Sequence, residues 1–493
     1  MKPSSYSDTT PEKVDKAITE ADYCFLEFKR KSSQQKANFL NQIASQVENM
    51  RFVLLETAQL ETNLGIPRLE AELTRTVNQI REFSRLAELE SWKDYSFEKE
   101  DASRLPSPKP AMVRQNVPIG PVAVIGACNF PFAISVVGTD TSSALAVGCP
   151  VVVKSHPKHP KTCALQGEAV KIAIQETGMP DGCFSLIHGE NHAITRQLVA
   201  HPKICCVAFT GSLQGGKALS KVVSEREKPI PFHAEMGSLN PVFALPSALS
   251  DNSTNFAQGY IDAVNLFAGQ MCTKPGALII LSESFTEIFR EKLISAIDSH
   301  ECLPMLNKNV FENFKQSVLF LEKRLRRAGK SYPQKGKNGI KAEVQVFQIS
   351  AKEFIENGEL RVESFGPSSL IVLAETFEEM LEVARQIEGS LTGTILVGKG
   401  DESKLQDLLP ILTSKVGRIL WNGFPPGVIP GHATHHGGPW PATSDSRFTS
   451  IGIQGYKRFV GHGAGRIQRL HFRLRPNRQR QDVHHARACR RRS

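Results

Sequence analysis

Apolar positions divide the chain into two regimes. Over residues 11–90 they recur at helical spacing, as in Phe39, Ile43, Val47, Phe52 and Leu55, among acids, bases and glutamines. That periodicity predicts helices with one buried face. Residues Ser103–Pro110 carry three prolines. Proline fixes φ and cannot donate, so an extended connection is expected there. Beyond it the pattern becomes short apolar runs: Val122–Ile125, Pro150–Lys154, Phe184–Ile187 and Ile204–Phe209. Each run precedes a stretch able to form a helix, which predicts β-α units and a parallel, doubly wound sheet. A second set, Pro241–Leu245, Gly276–Leu281, Ser369–Leu373 and Thr394–Val397, predicts a second α/β domain. No internal repeat interrupts the order.

Composition narrows the class. A chain of 493 residues with 40% apolar and 22% charged residues has ordinary globular make-up. At roughly 150 residues per domain it holds two to four domains. No apolar run approaches the roughly 20 residues needed to span a bilayer. The first 20 residues are polar and lack the basic flank and apolar stretch of a secretory signal. Ten cysteines are scattered without paired spacing or C-x-x-C, so reduced thiols in a cytoplasm are expected, with no metal.

The net charge of +10 is confined to one place. Residues 461–493 hold ten arginines, no lysine and one acid, Asp482, a charge of +9; the preceding 460 residues carry +1. A near-neutral body without a nucleic-acid motif argues against a nucleic-acid partner. The abrupt change after Val460 reads either as a genuine basic extension or as out-of-frame translation. The second is favoured, and the tail is expected to be poorly ordered.

Four segments carry candidate chemistry, and ligands of open α/β sheets bind at the carboxyl ends of strands. Gly126–Phe132 follows a strand and offers the Asn129 amide, although alone it reads as a plain Asn-x-Pro turn. Phe209–Gly216 joins a strand to a helix with Gly211, Ser212 and Gly216. Its glycines would let a pyrophosphate approach a helix N-terminus, without the full G-x-G-x-x-G fingerprint. Ala234–Pro241 sets Glu235 before a glycine and an Asn-Pro turn; a single glutamate is more often at the surface. Phe267–Gly276 places Cys272 in a polar, glycine-flanked stretch, unlike Cys205-Cys206 in an apolar run. Cys128, Cys149, Cys163 and Cys183 read as structural. Cys272 alone has the local sequence of an activated thiol.

Taken in order, and followed by Glu363-Ser-Phe-Gly-Pro367, Leu391-Thr-Gly-Thr394 and Gly417–Gly423, these segments resemble the aldehyde dehydrogenase superfamily over roughly residues 15–460. The strings at 129–160, 229–243 and 269–276 are most similar to its 2,5-dioxopentanoate (α-ketoglutarate semialdehyde) dehydrogenase branch, some of whose relatives are fatty aldehyde dehydrogenases. The resemblance implies an α/β fold: a Rossmann-like NAD(P)-binding domain (1–105 and 126–233), a catalytic domain (234–440) and a small oligomerisation region (106–125 and 441–460) that makes a homo-oligomer. It implies oxidation of an aldehyde to an acid through a Cys272 thiohemiacetal and thioester, with 2,5-dioxopentanoate as substrate and a fatty or medium-chain aldehyde as the alternative.

By the same resemblance Cys272 is the nucleophile, Glu235 the general base for thioester hydrolysis, and Asn129 an oxyanion donor together with the Cys272 N–H. Lys154 matches the adenosine-ribose lysine, Gly211, Ser212 and Gly216 lie in the pyrophosphate turn, Glu363 holds the nicotinamide ribose and Phe365 lies beside the ring. Where NAD-preferring relatives often carry an acid, this chain has Pro157, between Lys154, His156 and Lys158. NADP is therefore expected to be accepted, with NAD the alternative. Glu235 argues against a non-hydrolytic relative such as a CoA-acylating enzyme. The Arg-rich tail replaces the end of the oligomerisation region, which puts assembly in question and leaves a catalytically impaired copy as a third reading.

Overall fold

The amphipathic pattern of the first 90 residues folds as four helices, α1 (Pro11–Phe28), α2 (Ser33–Asn49), α3 (Arg51–Thr62) and α4 (Ile66–Leu89). A capping box starts α2: Ser32 accepts from the Gln35 N–H, and the Gln35 side chain returns to the Ser32 N–H. Phe39, Ile43 and Val47 form its buried stripe, packed against α4. Phe52 does not continue that stripe and is 73% exposed. The helix breaks at Met50, so α3 starts with its own rotation and buries Leu54, Leu55 and Ala58 instead. The computed structural model describes residues 7–331, 340–361, 363–425 and 435–445, the side chains of 250–254 excepted. All of these belong to one compact unit, Met1–Gly461.

Residues Ser96–Glu98 (β1) and Met112–Arg114 (β2) form an exposed antiparallel pair. The proline-rich stretch between them is closed by a bridge from Asp101 to Lys109. The first set of apolar runs then makes a five-stranded parallel sheet: β3 (Val122–Ile125), β4 (Val151–Lys154), β5 (Phe184–Ile187), β6 (Cys206–Thr210) and β7 (Phe232–Glu235), in the order β5-β4-β3-β6-β7. Helices α5 (Thr139–Val147), α6 (Pro160–Thr177), α7 (His192–Ala200) and α8 (Leu213–Ser224) form the crossovers. Strands β3, β4 and β6 are buried on both faces, which is why they read as unbroken apolar runs.

The chain leaves the central β3 toward β4 and returns on its other side as β6. The segments after β3 and β6, which hold Asn129 and Gly211–Gly216, therefore flank the crevice where strand order reverses.

The second set makes a seven-stranded sheet. Its strands are β8 (Pro241–Ala244), β9 (Ala277–Leu281), β11 (Arg326–Lys330), β13 (Gln345–Ser350), β14 (Ser368–Ala374), β15 (Ser390–Leu396) and β16 (Val416–Trp421), and β10 (Leu303–Pro304) pairs separately with β12 (Lys341–Ala342). The order is β11-β13-β14-β9-β8-β15-β16, parallel except for β11 against β13. Apolar clusters fill both faces, one built on Phe243, Ile279, Phe347 and Val372, the other on Val242, Tyr260, Leu278 and Ile371.

Strand pairing bears on three of the expected boundaries. Strand β3, placed by sequence with residues 106–125, is the centre of the first sheet, because it pairs with both β4 and β6. Strand β7 carries Glu235 as its last residue, so a division at 233/234 would cut a hydrogen-bonded strand. Residues 441–445, expected in the oligomerisation region, lie along β7: Glu235 bridges to Thr443, and the Met236 N–H donates to Ala442 O at 2.8 Å. Residues 446–460 and the tail at 461–493 lie outside the described residues.

Candidate active site

The loop before Cys272 has an unusual backbone. Phe267, Ala268 and Gly269 are consecutive left-handed residues, with φ of 53°, 56° and 64°. Only the third is glycine; side chains at the other two cost backbone energy that surrounding contacts must offset. Gly269 is where the loop touches the Glu363–Pro367 segment. A Cβ there would lie 2.2 Å from Gly366 O.

Asn240 holds the other side of the loop. Its Nδ2 donates to Cys272 O at 2.8 Å and Lys274 O at 3.0 Å, while its Oδ1 accepts from the Thr392 N–H at 3.2 Å and hydroxyl at 3.0 Å. The Asn-Pro turn read from sequence is thus a clamp between the thiol loop and β15.

Cys272 is half-buried, and the structure brings it to Glu235 at the end of β7. His436 stands with them. Its Nε2 is 3.5 Å from Cys272 Sγ and 3.1 Å from Glu235 Oε1. The donor atoms of the three side chains lie within 4.8 Å of one another. Burial pushes the Cys272 thiol well above its usual range, and the nearby carboxylates of Glu235 and Glu363 add to this; Arg75 opposes it. Burial likewise pushes Glu363 up and Lys274 down, and each favours the other's charged form. Lys274 Nζ also donates to Ser368 O at 2.6 Å.

Asn129, on the turn after β3, is buried and reaches the same loop, its Nδ2 donating to Gln270 O at 3.1 Å. Its own carbonyl accepts from Arg68 Nη2 at 2.5 Å. Arg68, on α4, is 8% exposed, with its guanidinium 5.1 Å from the Phe130 ring centroid and 4.2 Å from that of Phe267. Its Nε and Nη1 are buried without a partner among the described residues. Met271 packs with Ala127, Phe130, Ala133 and Ile134, an apolar wall beside the thiol.

The residues expected to hold a dinucleotide fit one. Ser212 caps α8, accepting from the Gly215 N–H at 3.1 Å, and leaves the helix N-terminus lined by glycine. A Cβ at Gly216 would lie 2.3 Å from Met236 Sδ, and one at Gly211 2.6 Å from the Phe209 ring, so the turn packs against β6 and β7 as a bare backbone cradle. Glu363 stands over Gly237, where a Cβ would meet Glu363 Oε2 at 2.8 Å. Phe365 is half-buried beside it. Lys154 ends β4, buried, and Lys158 lies half-buried in the following loop. One expected contribution changes: burial, His159 and the two lysines push His156 well below the usual histidine range. That shift favours its neutral form, the opposite of a charge for a 2′-phosphate.

Sequence reasoning missed His436, Asn240 and Arg68. His436 lies 164 residues from Cys272 and 201 from Glu235, in a His-His-Gly-Gly stretch that carries no local signal for a site.

A thiol loop, a carboxylate and an amide converge beside a glycine-lined helix N-terminus at the crevice of a doubly wound sheet. Fold and site together are those of a nucleotide-dependent α/β enzyme with a thiol beside a buried carboxylate. Residues 3–438 match the aldehyde dehydrogenase family, and the chain belongs to it; members of the family use NAD(P).

It is 37% identical to an alpha-ketoglutaric semialdehyde dehydrogenase of Acinetobacter baylyi, over 92% of this chain and 86% of that one. It is 36% identical to alpha-ketoglutaric semialdehyde dehydrogenase 2 of Azospirillum brasilense, over 91% and 85%. Among solved structures, proline utilization A of Bradyrhizobium japonicum shares the fold with a TM-score of 0.75, at 22% identity over 92% of this chain. The chain spans only 45% of that longer protein.

Proposed function

We propose that this chain oxidises 2,5-dioxopentanoate to 2-oxoglutarate with NAD(P). The observation that carries the reaction type is the meeting of Cys272 and Glu235 at one point, with the Asn129 amide reaching the same thiol loop at Gln270 O. The Cys272 sulfur attacks the aldehyde carbon to give a thiohemiacetal. Its oxyanion takes hydrogen bonds from the Asn129 amide and the Cys272 N–H. A nicotinamide held at Glu363 and Phe365 would supply the hydride acceptor for that carbon, and loss of hydride leaves a thioester on Cys272. Glu235 then takes a proton from water, hydroxide adds to the thioester carbon, and the C–S bond breaks. Burial of Glu235, 1% exposed, suits a carboxylate that must act as a base rather than stay solvated.

The names of the two relatives support the substrate, and so does Arg68. Its charge faces Glu72, yet two of its donors beside Asn129 have no hydrogen-bond partner among the described residues, which a substrate carboxylate would satisfy and a fatty aldehyde would not. For the cofactor we assign the α8 turn with Gly211, Ser212 and Gly216 to the pyrophosphate, Lys154 and Lys158 to the adenosine end, and Glu363 and Phe365 to the nicotinamide end. Pro157, where an acid would repel a 2′-phosphate, supports use of NADP. We also assign the chain to a cytoplasmic homo-oligomer with no nucleic-acid or membrane partner. The nine described cysteines are free, no described helix is long and apolar enough to cross a membrane, and the exposed apolar side chains Phe97, Leu105 and Val113 near the β1–β2 pair offer an assembly surface.

NAD(P)H formation by purified protein tests the reading, with 2,5-dioxopentanoate and a long-chain aldehyde, each with NAD and NADP. Turnover on 2,5-dioxopentanoate that disappears in Cys272→Ala is the expected result. Preference for the long-chain aldehyde would overturn the substrate, strong preference for NAD would overturn the cofactor assignment, and no turnover from folded protein would point to an impaired copy.

A further inference from the structure

We infer that Cys272, Glu235 and His436 form an inhibitory zinc site, in which one Zn²⁺ held by Sγ, a Glu235 carboxylate oxygen and Nε2 silences the enzyme until a chelator removes it. Binding stands on the geometry of the three side chains; its consequence for turnover rests on the proposed reaction. A thiolate, an imidazole and a carboxylate are the donor types zinc takes, and three protein ligands with a fourth position open are the pattern of an accessible zinc site. Calcium and magnesium, which need six or more oxygen donors, are poorly served by this set.

The spacing matches zinc. Bonds of about 2.3 Å to sulfur and about 2.0–2.1 Å to nitrogen or oxygen place tetrahedral ligands about 3.6 Å apart for S and N, and about 3.3 Å for N and O. Cys272 Sγ is 3.5 Å from His436 Nε2, and Nε2 is 3.1 Å from Glu235 Oε1. Cys272 is also hydrogen-bonded to Glu235, so the third edge of the triangle is a contact as well. All three donor atoms lie within 4.8 Å of one another. A metal ion can therefore take the place of the shared protons with little backbone movement. Glu235 and His436 are each 1% exposed, and Cys272 is half-buried, so the ion enters from the thiol side.

The ligands are held on fixed elements. Glu235 ends β7 and bridges to Thr443, which ties the His436 segment to the same strand. The Asn240 clamp holds the Cys272 carbonyl at 2.8 Å. Ligands fixed in this way lose little freedom on binding. A thiolate and the Glu235 carboxylate together carry the double negative charge that Zn²⁺ cancels, beside the further carboxylate of Glu363. Arg75 and Arg418 also act on the thiol and oppose a cation, and the direct metal–ligand bonds must outweigh them. On binding, the thiol releases its proton to solvent and no electron moves. Sulfur committed to the metal cannot attack an aldehyde, and a coordinated Glu235 cannot take a proton from water, so both acylation and hydrolysis stop.

The test follows Zn²⁺ binding to the full chain by competition with a chromophoric chelator, and Co²⁺ binding by absorption. Wild type is compared with Cys272→Ser, His436→Gln and Glu235→Gln, each checked for folding by circular dichroism. One equivalent should bind in wild type, and each substitution should weaken it by about 100-fold or more, since loss of even an outer-shell partner costs about 10–100-fold. Cobalt should show a thiolate-to-metal charge-transfer band and the intense visible bands of a tetrahedral ion, both absent in Cys272→Ser. His462, His471, His484 and His485 offer donors elsewhere, so the equivalent counted is the one that Cys272→Ser removes. Should His436→Gln not fold, Cys272→Ser, the smallest change, decides. Neither readout needs aldehyde or cofactor, so failure of the substrate assignment would leave the site standing. In wild type, NAD(P)H formation should fall over the Zn²⁺ range that fills the site and return with EDTA. Metal binding equal in wild type and Cys272→Ser, a cobalt spectrum without the charge-transfer band, or turnover unchanged with the site filled would overturn the inference.

Discussion

Gly269 joins the thiol loop to the Glu363–Pro367 segment, and replacing it with alanine should damage both stability and rate. Its φ is +64°, a region that costs an L-residue with a Cβ about 1–2 kcal/mol. The new methyl would meet Gly366 O at 2.2 Å, Gly366 C at 2.3 Å and Pro367 N at 2.5 Å, all below the 3.0 Å that real Cβ contacts respect. These are backbone atoms and cannot rotate aside, so one segment must move by close to 1 Å. Overpacking of this kind costs about 1–3 kcal/mol. The reduced freedom of the unfolded chain offsets about 0.4–1 kcal/mol. Gly269→Ala should therefore destabilise the protein by roughly 2–4 kcal/mol. Because Cys272 lies three residues on and Phe365 borders the contact, a shift of that size should also lower kcat by about 100-fold. Urea unfolding followed by circular dichroism measures the first, and NAD(P)H formation the second. A variant within about 0.5 kcal/mol of wild type, with kcat unchanged, would refute the reasoning, since it would show that the loop yields freely.

Three further outcomes are expected. Glu235→Gln should slow turnover by about 10²–10⁴-fold while sparing acyl-enzyme formation, so rapid mixing should show an initial burst near one NAD(P)H per site; full turnover, or folded enzyme with no burst, would contradict the assignment. Asn240→Ala should destabilise by about 2–4 kcal/mol, because the Thr392 N–H and the Cys272 and Lys274 carbonyls lose a buried partner, and a denaturation midpoint equal to wild type would remove the clamp. Asp140 has its pKa raised to about 7, first by burial and then by Glu235. The folded state then binds the extra proton, so stability is greatest below the unfolded carboxyl pKa and falls as pH rises toward 7. Asp140→Asn should flatten that slope and raise stability at pH 8 by up to roughly 4 kcal/mol, an effect absent in acid; parallel pH profiles would exclude it.

Local chemistry was readable along the chain, and its errors have local causes. The runs that became β3, β4, β6 and β9 were legible because strands buried on both faces must be apolar throughout. Phe52 misled because the break at Met50 resets helical phase within two residues, which a periodicity read across it does not detect. Strands β11 and β16 are only partly buried, so no apolar run announced them. His156 was read as a possible cation from its lysine neighbours, whereas burial decides its charge in the opposite sense.

The sequence by itself determined the class of the protein: alternating strands and helices, a glycine turn at a helix start, and one cysteine in a polar loop, all within short windows. Spacing along the chain also set the order in which those windows meet the crevice. Only the tertiary structure decided how the thiol is surrounded. Glu235 ends one sheet, Cys272 follows a left-handed loop between two elements of the other, and His436 arrives on a segment laid along β7. Asn129 ties Arg68 from α4 to the thiol loop. Hydrogen bonds of about 3 Å between side chains far apart in sequence depend on how two sheets pack, and no local pattern encodes that packing.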